Sequence, residues 1–150
     1  MTAPLYYEDL AVGQTFGTGT LVVEPGMIKA FAAEFDPQPF HLHQDAAGAS
    51  LFGGLVASGW HTGALTMRLL VAGELQIVGG LIGLGAEELQ WPRSVHPGDV
   101  LHVESEVLGL RPSESHPDRG LVRVRNTTLN QDGERVMVMV VTMIVPRRPS

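Results

Sequence analysis

The chain has 150 residues, of which 44% are hydrophobic and 17% charged, and it carries a formal net charge of −6 with no cysteine. Such a chain fits a single domain, 1–150, whereas its acidic balance argues against nucleic acid and the missing cysteines exclude disulfides, thiolate metal sites and a cysteine nucleophile. Because no apolar run approaches the roughly 20 residues that cross a membrane and the first residues lack the features of a secretory signal, we expect a cytoplasmic protein with no membrane partner.

The first part of the chain predicts a short strand and a helix. Residues 14–23 are rich in Gly, Thr and Val and indicate the strand, which a Glu-Pro-Gly turn closes at 24–26. Proline suits the first turn of a helix, and Pro37 ends the helix because its ring disfavours helical geometry in the residue before it. Asp36 therefore leaves the helix, and the segment from there to His41 is expected to be a stiff loop. The apolar residues of the helix recur with helical spacing, at Ile28, Phe31, Ala32 and Phe35.

Two more helices are predicted before the chain becomes strand-like. Residues 45–52 indicate a short Ala-rich helix, which the pair Gly53-Gly54 ends. Ser58 can cap a longer helix over residues 59–71, whose apolar side chains lie on most of its sides. Such a helix is expected to be enclosed by the rest of the fold.

The second half of the chain predicts an antiparallel sheet. Turn residues at 96–99 and 130–133 and a long connection at 111–120 separate four strand-like stretches. The tail from 146 to 150 is expected to fray. Together with the helix over 59–71, these strands predict an α+β fold, a curved antiparallel sheet wrapped around a long central apolar helix. The four strands span residues 81–89, 100–110, 121–129 and 136–145.

Asp36 and His41 are the first candidates for a catalytic pair. They stand five positions apart on a segment stiffened by Pro37 and Pro39, so both side chains can face one pocket around one water molecule. An imidazole titrates near neutrality, and the helix C-terminus before Asp36 is expected to raise the pKa of its carboxyl. Without further context, however, the spacing favours a plain Asp-Pro turn in which the histidine packs or points into water.

Gly59, at the start of the long helix, supplies such context. Backbone N–H groups at a helix start carry positive partial charge, and a glycine lets a ligand approach them closely. A thioester carbonyl oxygen fits there, and such dipoles stabilise the enolate that forms when water attacks the β-carbon of an enoyl thioester. Taken alone, a glycine at this position also fits simple packing at a helix N-terminus.

Together these segments resemble the MaoC-like dehydratases and R-specific enoyl-CoA hydratases of the hot-dog superfamily. The family motif is Asp-x-Asn-Pro-x-His, followed by a glycine at the start of the central helix. Two departures, Gln38 for the motif's Asn and His43 where many members carry Asp, bear on the choice of substrate more than on the reaction. The matching positions are Asp36, Pro39, His41 and Gly59, and the stretches 55–59, 85–93 and 96–99 also look like the family.

The resemblance implies a hot-dog fold and the hydration or dehydration of a 2-enoyl or 3-hydroxyacyl thioester, such as an acyl-CoA. By this resemblance Asp36 and His41 hold and activate the water, with their roles as base and acid unassigned, and Gly59 donates its N–H to the thioester oxygen. No metal, flavin or nicotinamide cofactor is implied. The family also pairs its sheets, so we expect a homodimer or a higher homo-oligomer with each pocket at a subunit interface.

Two other functions share these features. Thioesterases have the same fold and also need an acid or base near a helix N-terminus, and a non-catalytic subunit could hold an acyl thioester in the same pocket. The five-residue spacing from Asp36 to His41 favours the hydratase.

Other polar residues are weaker candidates. His41 and His43 could begin a zinc site, but no third ligand stands at a known motif spacing. His61 could border the pocket, although a hydrogen-bonded core histidine is the favoured interpretation. Arg123 and Arg125 could meet the phosphates of coenzyme A, yet their alternation on a strand favours a solvated face.

Overall fold

Residues 3–150, which the computed structural model describes, form four helices and six strands after a 3-10 turn at Tyr7–Asp9. The helices are α1 (Pro25–Phe35), α2 (Pro39–Leu42), α3 (Gln44–Gly48) and α4 (Gly59–Val71). The strands are β1 (Thr15–Phe16), β2 (Leu21–Val22), β3 (Ile82–Gln90), β4 (Val100–Pro112), β5 (Arg119–Leu129) and β6 (Arg135–Pro146).

The six strands form one antiparallel sheet. Its order is β1-β4-β5-β6-β3, and β2 also pairs with β4. The turn between β5 and β6 forms because the side-chain oxygen of Asn130 accepts hydrogen bonds from the N–H groups of Asp132 and Glu134, both at 3.0 Å. Asn side chains favour turns for this reason. The four long strands predicted from the sequence correspond to β3, β4, β5 and β6 and are confirmed.

Alternation along β4 provides the buried face on which α4 packs. Leu101, Val103, Ser105 and Val107 are buried, whereas the residues that alternate with them are exposed or half-buried. Leu65 and Leu69 of α4 join the same apolar cluster as Leu101 and Val103. Each fully buried side chain of this kind stabilises the fold by about 1.5–3 kcal/mol. The predicted α+β arrangement, a curved sheet wrapped around the long helix, is confirmed.

The helix α4 is not enclosed on all its sides, which corrects the sequence-based expectation. Its inward face is buried, but Trp60, Met67 and Val71 form an apolar stripe that is 62%, 47% and 59% exposed. These residues fall on one side of the helix because they are spaced at seven and four positions. No helix within residues 3–150 is long and apolar enough to span a membrane.

Three local expectations in the first half of the chain were wrong. The predicted strand over 14–23 is split into β1 and β2, because Thr18 lies between them and its Oγ1 accepts the N–H of Val103 at 2.9 Å in place of a backbone carbonyl. The stiff loop up to His41 contains the helical turn α2, which Pro39 initiates. The Ala-rich helix is α3, which ends at Gly48 and not at residue 52.

The C-terminal tail was expected to fray, but it is anchored. Arg147 Nε lies 3.0 Å from Glu8 Oε2, and the Nη2 atom of Arg148 lies 2.9 Å from Asp9 Oδ2. The N–H of Arg147 also donates to the carbonyl of Asp118 at 2.8 Å. Exposed ion pairs add little individually, so it is their combination with this backbone bond that anchors the tail.

Candidate active site

Two prolines bring Asp36 and His41 together. Asp36 is the C-cap residue that follows the end of α1 at Phe35, and Pro37 prevents the helix from continuing. Pro39 then begins α2, whose single turn carries His41 back towards Asp36. The Nε2 atom of His41 lies 3.3 Å from Oδ2 of Asp36. The structure therefore places the two predicted residues in direct contact.

The imidazole of His41 is fixed in one tautomer. Its Nδ1 lies 2.7 Å from the backbone carbonyl oxygen of Val56, and a carbonyl can only accept a hydrogen bond, so Nδ1 carries the hydrogen. The ring is buried and packs edge-on against Phe40. Nε2 is therefore the atom that can gain or lose a proton beside Asp36.

The carboxyl of Asp36 is held in its ionised form. Burial acts to raise its pKa, but the hydrogen bond from Gln38, the neighbouring Ser58 hydroxyl and, when its imidazole is protonated, His41 outweigh burial, so the pKa lies below the ordinary 3.8. Gln38 Nε2 donates to Asp36 Oδ1 at 2.6 Å. The expectation that the α1 C-terminus raises this pKa was wrong because these local donors act at shorter range. Gln38, the departure from the family motif, supplies one of them.

The lowered pKa of Asp36 predicts a pH-dependent contribution to stability. A carboxyl with a depressed pKa in the folded state stabilises the protein fully above its unfolded pKa and loses that contribution as the pH falls through the folded pKa. Asp36→Asn should therefore be less stable than wild type at about pH 7, and the difference should shrink towards about pH 3. Urea unfolding at both pH values measures it. A difference that does not depend on pH would contradict the lowered pKa.

The start of α4 presents an unused donor and a buried hydroxyl. Gly59 is the first residue of the helix, and its N–H meets no acceptor within residues 3–150. Ser58, at the capping position as predicted, makes no side-chain cap bond. Its Oγ is fully buried and makes no well-formed hydrogen bond with any described residue. The Ser58 hydroxyl is nevertheless close enough to Asp36 to help lower the pKa of its carboxyl.

Asp36, His41 and Gly59 line one pocket of about 300 Å³. This is near the lower end of the range for small-molecule sites, and its walls are largely apolar and aromatic. A carbonyl and a water molecule bound beside these polar groups would lie against largely apolar walls, where oriented donors act more strongly than in water. Lining residues include Asp36, His41, Gly59, Phe40, Phe52 and Trp91.

Sequence reasoning missed two groups that shape the site. The first is the carbonyl of Val56, which fixes the tautomer of His41 and carries no signal in a sequence. The second is Trp91, whose indole Nε1–H donates to the carbonyl of Gly59 at 2.9 Å. Trp91 stood within a segment that resembles the family, but no spacing rule connects it with a helix that starts 32 residues earlier.

Other candidate residues lie outside this constellation. His61 is a core residue, as favoured, but its ring stacks on Phe31 at 4.7 Å and its buried Nδ1 has no hydrogen-bond partner among the described residues. Burial lowers the pKa of His61. His43 is exposed whereas His41 is buried, so they do not form a joint site. Within residues 3–150 no three His, Cys, Asp or Glu side chains are grouped to hold a metal.

The two strand arginines are paired with carboxylates on an exposed face of the sheet. Arg123 Nε lies 2.7 Å from Glu87 Oε1, and the Nη1 atom of Arg125 lies 3.6 Å from Glu106 Oε2. This arrangement agrees with the favoured interpretation of a solvated face.

Comparison with known proteins places the chain among hydratases and dehydratases. The pattern of the family described as "MaoC like domain" matches residues 9–131. A mesaconyl-CoA hydratase from Cereibacter sphaeroides is 43% identical over 65 residues, which are 43% of this chain and 19% of that enzyme.

Solved structures extend the similarity to nearly the whole chain. The MaoC-like dehydratase from Rhodospirillum rubrum is 55% identical, with a TM-score of 0.94 over 97% of this chain and 99% of that one. The R-hydratase PhaJ1 from Pseudomonas aeruginosa is 30% identical, with a TM-score of 0.75 over 97% and 88%. A Mycobacterium tuberculosis protein with a double hot-dog fold, 21% identical, matches with a TM-score of 0.80 over 98% of this chain and 46% of its own. The predicted hot-dog fold is thus confirmed.

Proposed function

The chain belongs to the MaoC-like dehydratase family, and from that premise we propose that it adds water to 2-enoyl thioesters, or removes it from 3-hydroxyacyl thioesters, at Asp36, His41 and Gly59. The observation that carries this proposal is the 3.3 Å contact between His41 Nε2 and Asp36 Oδ2 in the pocket that also contains the unused N–H of Gly59. An acid–base pair and an oxyanion donor are the two requirements of such a hydration. The R-hydratase from Pseudomonas aeruginosa supports this reaction class.

In this proposal Asp36 and His41 have different roles towards the water molecule. Asp36, whose pKa is lowered, stays a carboxylate and accepts one hydrogen bond from the water. His41 Nε2 takes a proton from the water molecule while the water oxygen forms the bond to the β-carbon of the enoyl group. The carboxylate then stabilises the imidazolium, and Val56 keeps the ring oriented throughout the transfer.

Gly59 stabilises the charge that this attack creates. The electron pair of the C=C bond forms a new double bond between the α-carbon and the carbonyl carbon, and the π electron pair of the carbonyl moves onto the thioester oxygen. The enolate oxygen accepts a hydrogen bond from the N–H of Gly59 at the positive end of α4. His41 returns its proton to the α-carbon, which leaves a neutral imidazole and the 3-hydroxyacyl thioester. The dehydration follows the same steps in reverse.

Coenzyme A is the proposed thioester carrier. The support is the similarity to a mesaconyl-CoA hydratase over 65 residues. The pocket within one chain has a volume of about 300 Å³, which suits a short acyl group.

Crotonyl-CoA tests the proposal directly. The purified protein should lower the absorbance of the conjugated enoyl thioester without releasing free thiol. Thiol release would indicate the thioesterase, and crotonyl-CoA that binds and stays intact would indicate a non-catalytic acyl-binding subunit. Either of those outcomes would overturn the hydratase.

We further propose that the protein forms a homodimer. The strand β3 pairs only with β6 among residues 3–150, and it presents Ile82 and Leu84 to solvent. Unpaired apolar edge strands favour pairing with another chain. The open apolar stripe of α4 also lacks a cover within one chain. Light scattering after size-exclusion chromatography should give twice the 16.1 kDa mass of the chain. A monomer at micromolar concentration would contradict the dimer.

A further inference from the structure

The end of β3 contains an irregularity that directs Trp91 towards the start of α4. Three residue steps from Glu87 to Gln90 on β3 face two steps from Val140 to Val138 on β6, so β3 carries one extra residue. Glu88 lies in this bulge with a φ of 55°, a left-handed conformation that non-glycine residues rarely adopt. Bulges re-aim side chains and occur often beside active sites.

The extra residue changes the side of the sheet on which the following side chains lie. Glu87 is on the exposed face, where it pairs with Arg123. Leu89, two positions later, packs against the apolar core beneath α4, although two residues in a regular strand would share one face. Trp91 is two positions after Leu89, so its side chain lies on the same side as that of Leu89 and reaches α4.

Trp91 contacts the first residue of α4 in two ways. Its indole N–H donates to the carbonyl of Gly59 at 2.9 Å, and its ring occupies the space beside the Gly59 Cα. A Cβ built at position 59 would lie 2.8 Å from Trp91 Cε2, which is closer than real Cβ contacts, and 3.0 Å from Nε1. The ring is further held by an edge contact with Trp60 at 5.2 Å. Trp91 is also part of the pocket wall.

We infer that Trp91 is a positioning residue, which fixes the first turn of α4 so that the Gly59 N–H points at the developing enolate. This inference rests on the proposed hydratase function. Oxyanion donors are effective because they are oriented before the reaction. The indole N–H restrains the peptide that follows Gly59, and the ring covers the side of Gly59 on which a Cβ would stand. A glycine is required at position 59 because the indole already occupies the space of a side chain.

Trp91→Phe tests the inference, because phenylalanine keeps an aromatic ring in the pocket wall but cannot donate a hydrogen bond. We expect kcat for crotonyl-CoA to fall by about 3- to 10-fold, the loss of one hydrogen bond, with KM within about twofold of wild type. Hydrogen exchange of the amides at residues 58–62 should become faster. Glu88→Gly is the matched control, since glycine tolerates the positive φ of the bulge and should keep Trp91 in place and kcat unchanged.

The outcomes separate this inference from the proposed function. If the wild type is active and Trp91→Phe has an unchanged kcat, with or without a raised KM, the positioning role would be overturned. The proposed hydratase function would then still stand. A wild type without hydratase activity would overturn the proposed function, and the exchange measurement would then decide: unchanged exchange at 58–62 in Trp91→Phe would also overturn the restraint of the helix start.

Discussion

Asp36→Asn and His41→Ala should each lower kcat for crotonyl-CoA by about 100-fold or more, because each removes one half of the proposed acid–base pair. Asn at position 36 keeps the size of the side chain but loses its charge. Ala at position 41 removes the Nε2 atom that lies 3.3 Å from Asp36. The double variant should lose little more than either single variant, since the two residues act on one water molecule. Steady-state kinetics of the four proteins measure this.

A matched control separates chemistry from general damage to the loop. His43 stands two positions after His41, but its side chain is exposed and lies outside the pocket. His43→Ala should therefore keep kcat within about twofold of wild type. If His43→Ala lost as much activity as His41→Ala, or if Asp36→Asn remained fully active, the assignment of the pair would be wrong.

Gly59→Ala is the second change with a large expected effect. The new Cβ would lie 2.8 Å from Trp91 Cε2, so either the indole or the first turn of α4 must move. Displacing the N–H donor from the thioester oxygen should lower kcat/KM by about 100-fold, the usual loss for one oxyanion donor. The melting temperature should also fall.

Gly63→Ala provides the control on the same helix. A Cβ at position 63 would lie 3.5 Å from Met137 Cε, an ordinary van der Waals distance. Alanine favours a helix interior over glycine by about 0.5–1 kcal/mol, so Gly63→Ala should keep its activity and melt no lower than wild type. Activity and melting curves for both variants decide the point. Equal loss of activity in Gly59→Ala and Gly63→Ala would show a general helix effect and contradict a specific donor at Gly59.

Local sequence signals predicted the part of the site that depends on nearby residues. Pro37 and Pro39 strongly restrict the backbone between Asp36 and His41. The contact between Asp36 and His41 therefore depends on one short segment of the chain. The limits of α4 were predicted in full, because Gly59 and the apolar spacing up to Val71 define a helix by themselves. The turn residues that separate the four long strands are local signals of the same kind.

Features that depend on distant parts of the chain were not predicted. The bulge at Glu88 depends on pairing with β6, and nothing in the segment itself shows the extra residue. The C-terminal tail was expected to fray. Instead, Arg147 and Arg148 form ion pairs with Glu8 and Asp9 near the opposite end of the chain. The pKa of Asp36 was expected to rise because the helix C-terminus was visible in the sequence, whereas the bond geometry of Gln38 was not.

Hydration of crotonyl-CoA in water labelled with oxygen-18 tests the central claim most directly. We predict a 3-hydroxybutyryl-CoA that carries one labelled oxygen on its β-carbon, formed by wild type and lost in Asp36→Asn and His41→Ala. Free coenzyme A with labelled crotonate, or no product that contains the label, would contradict the proposed hydratase.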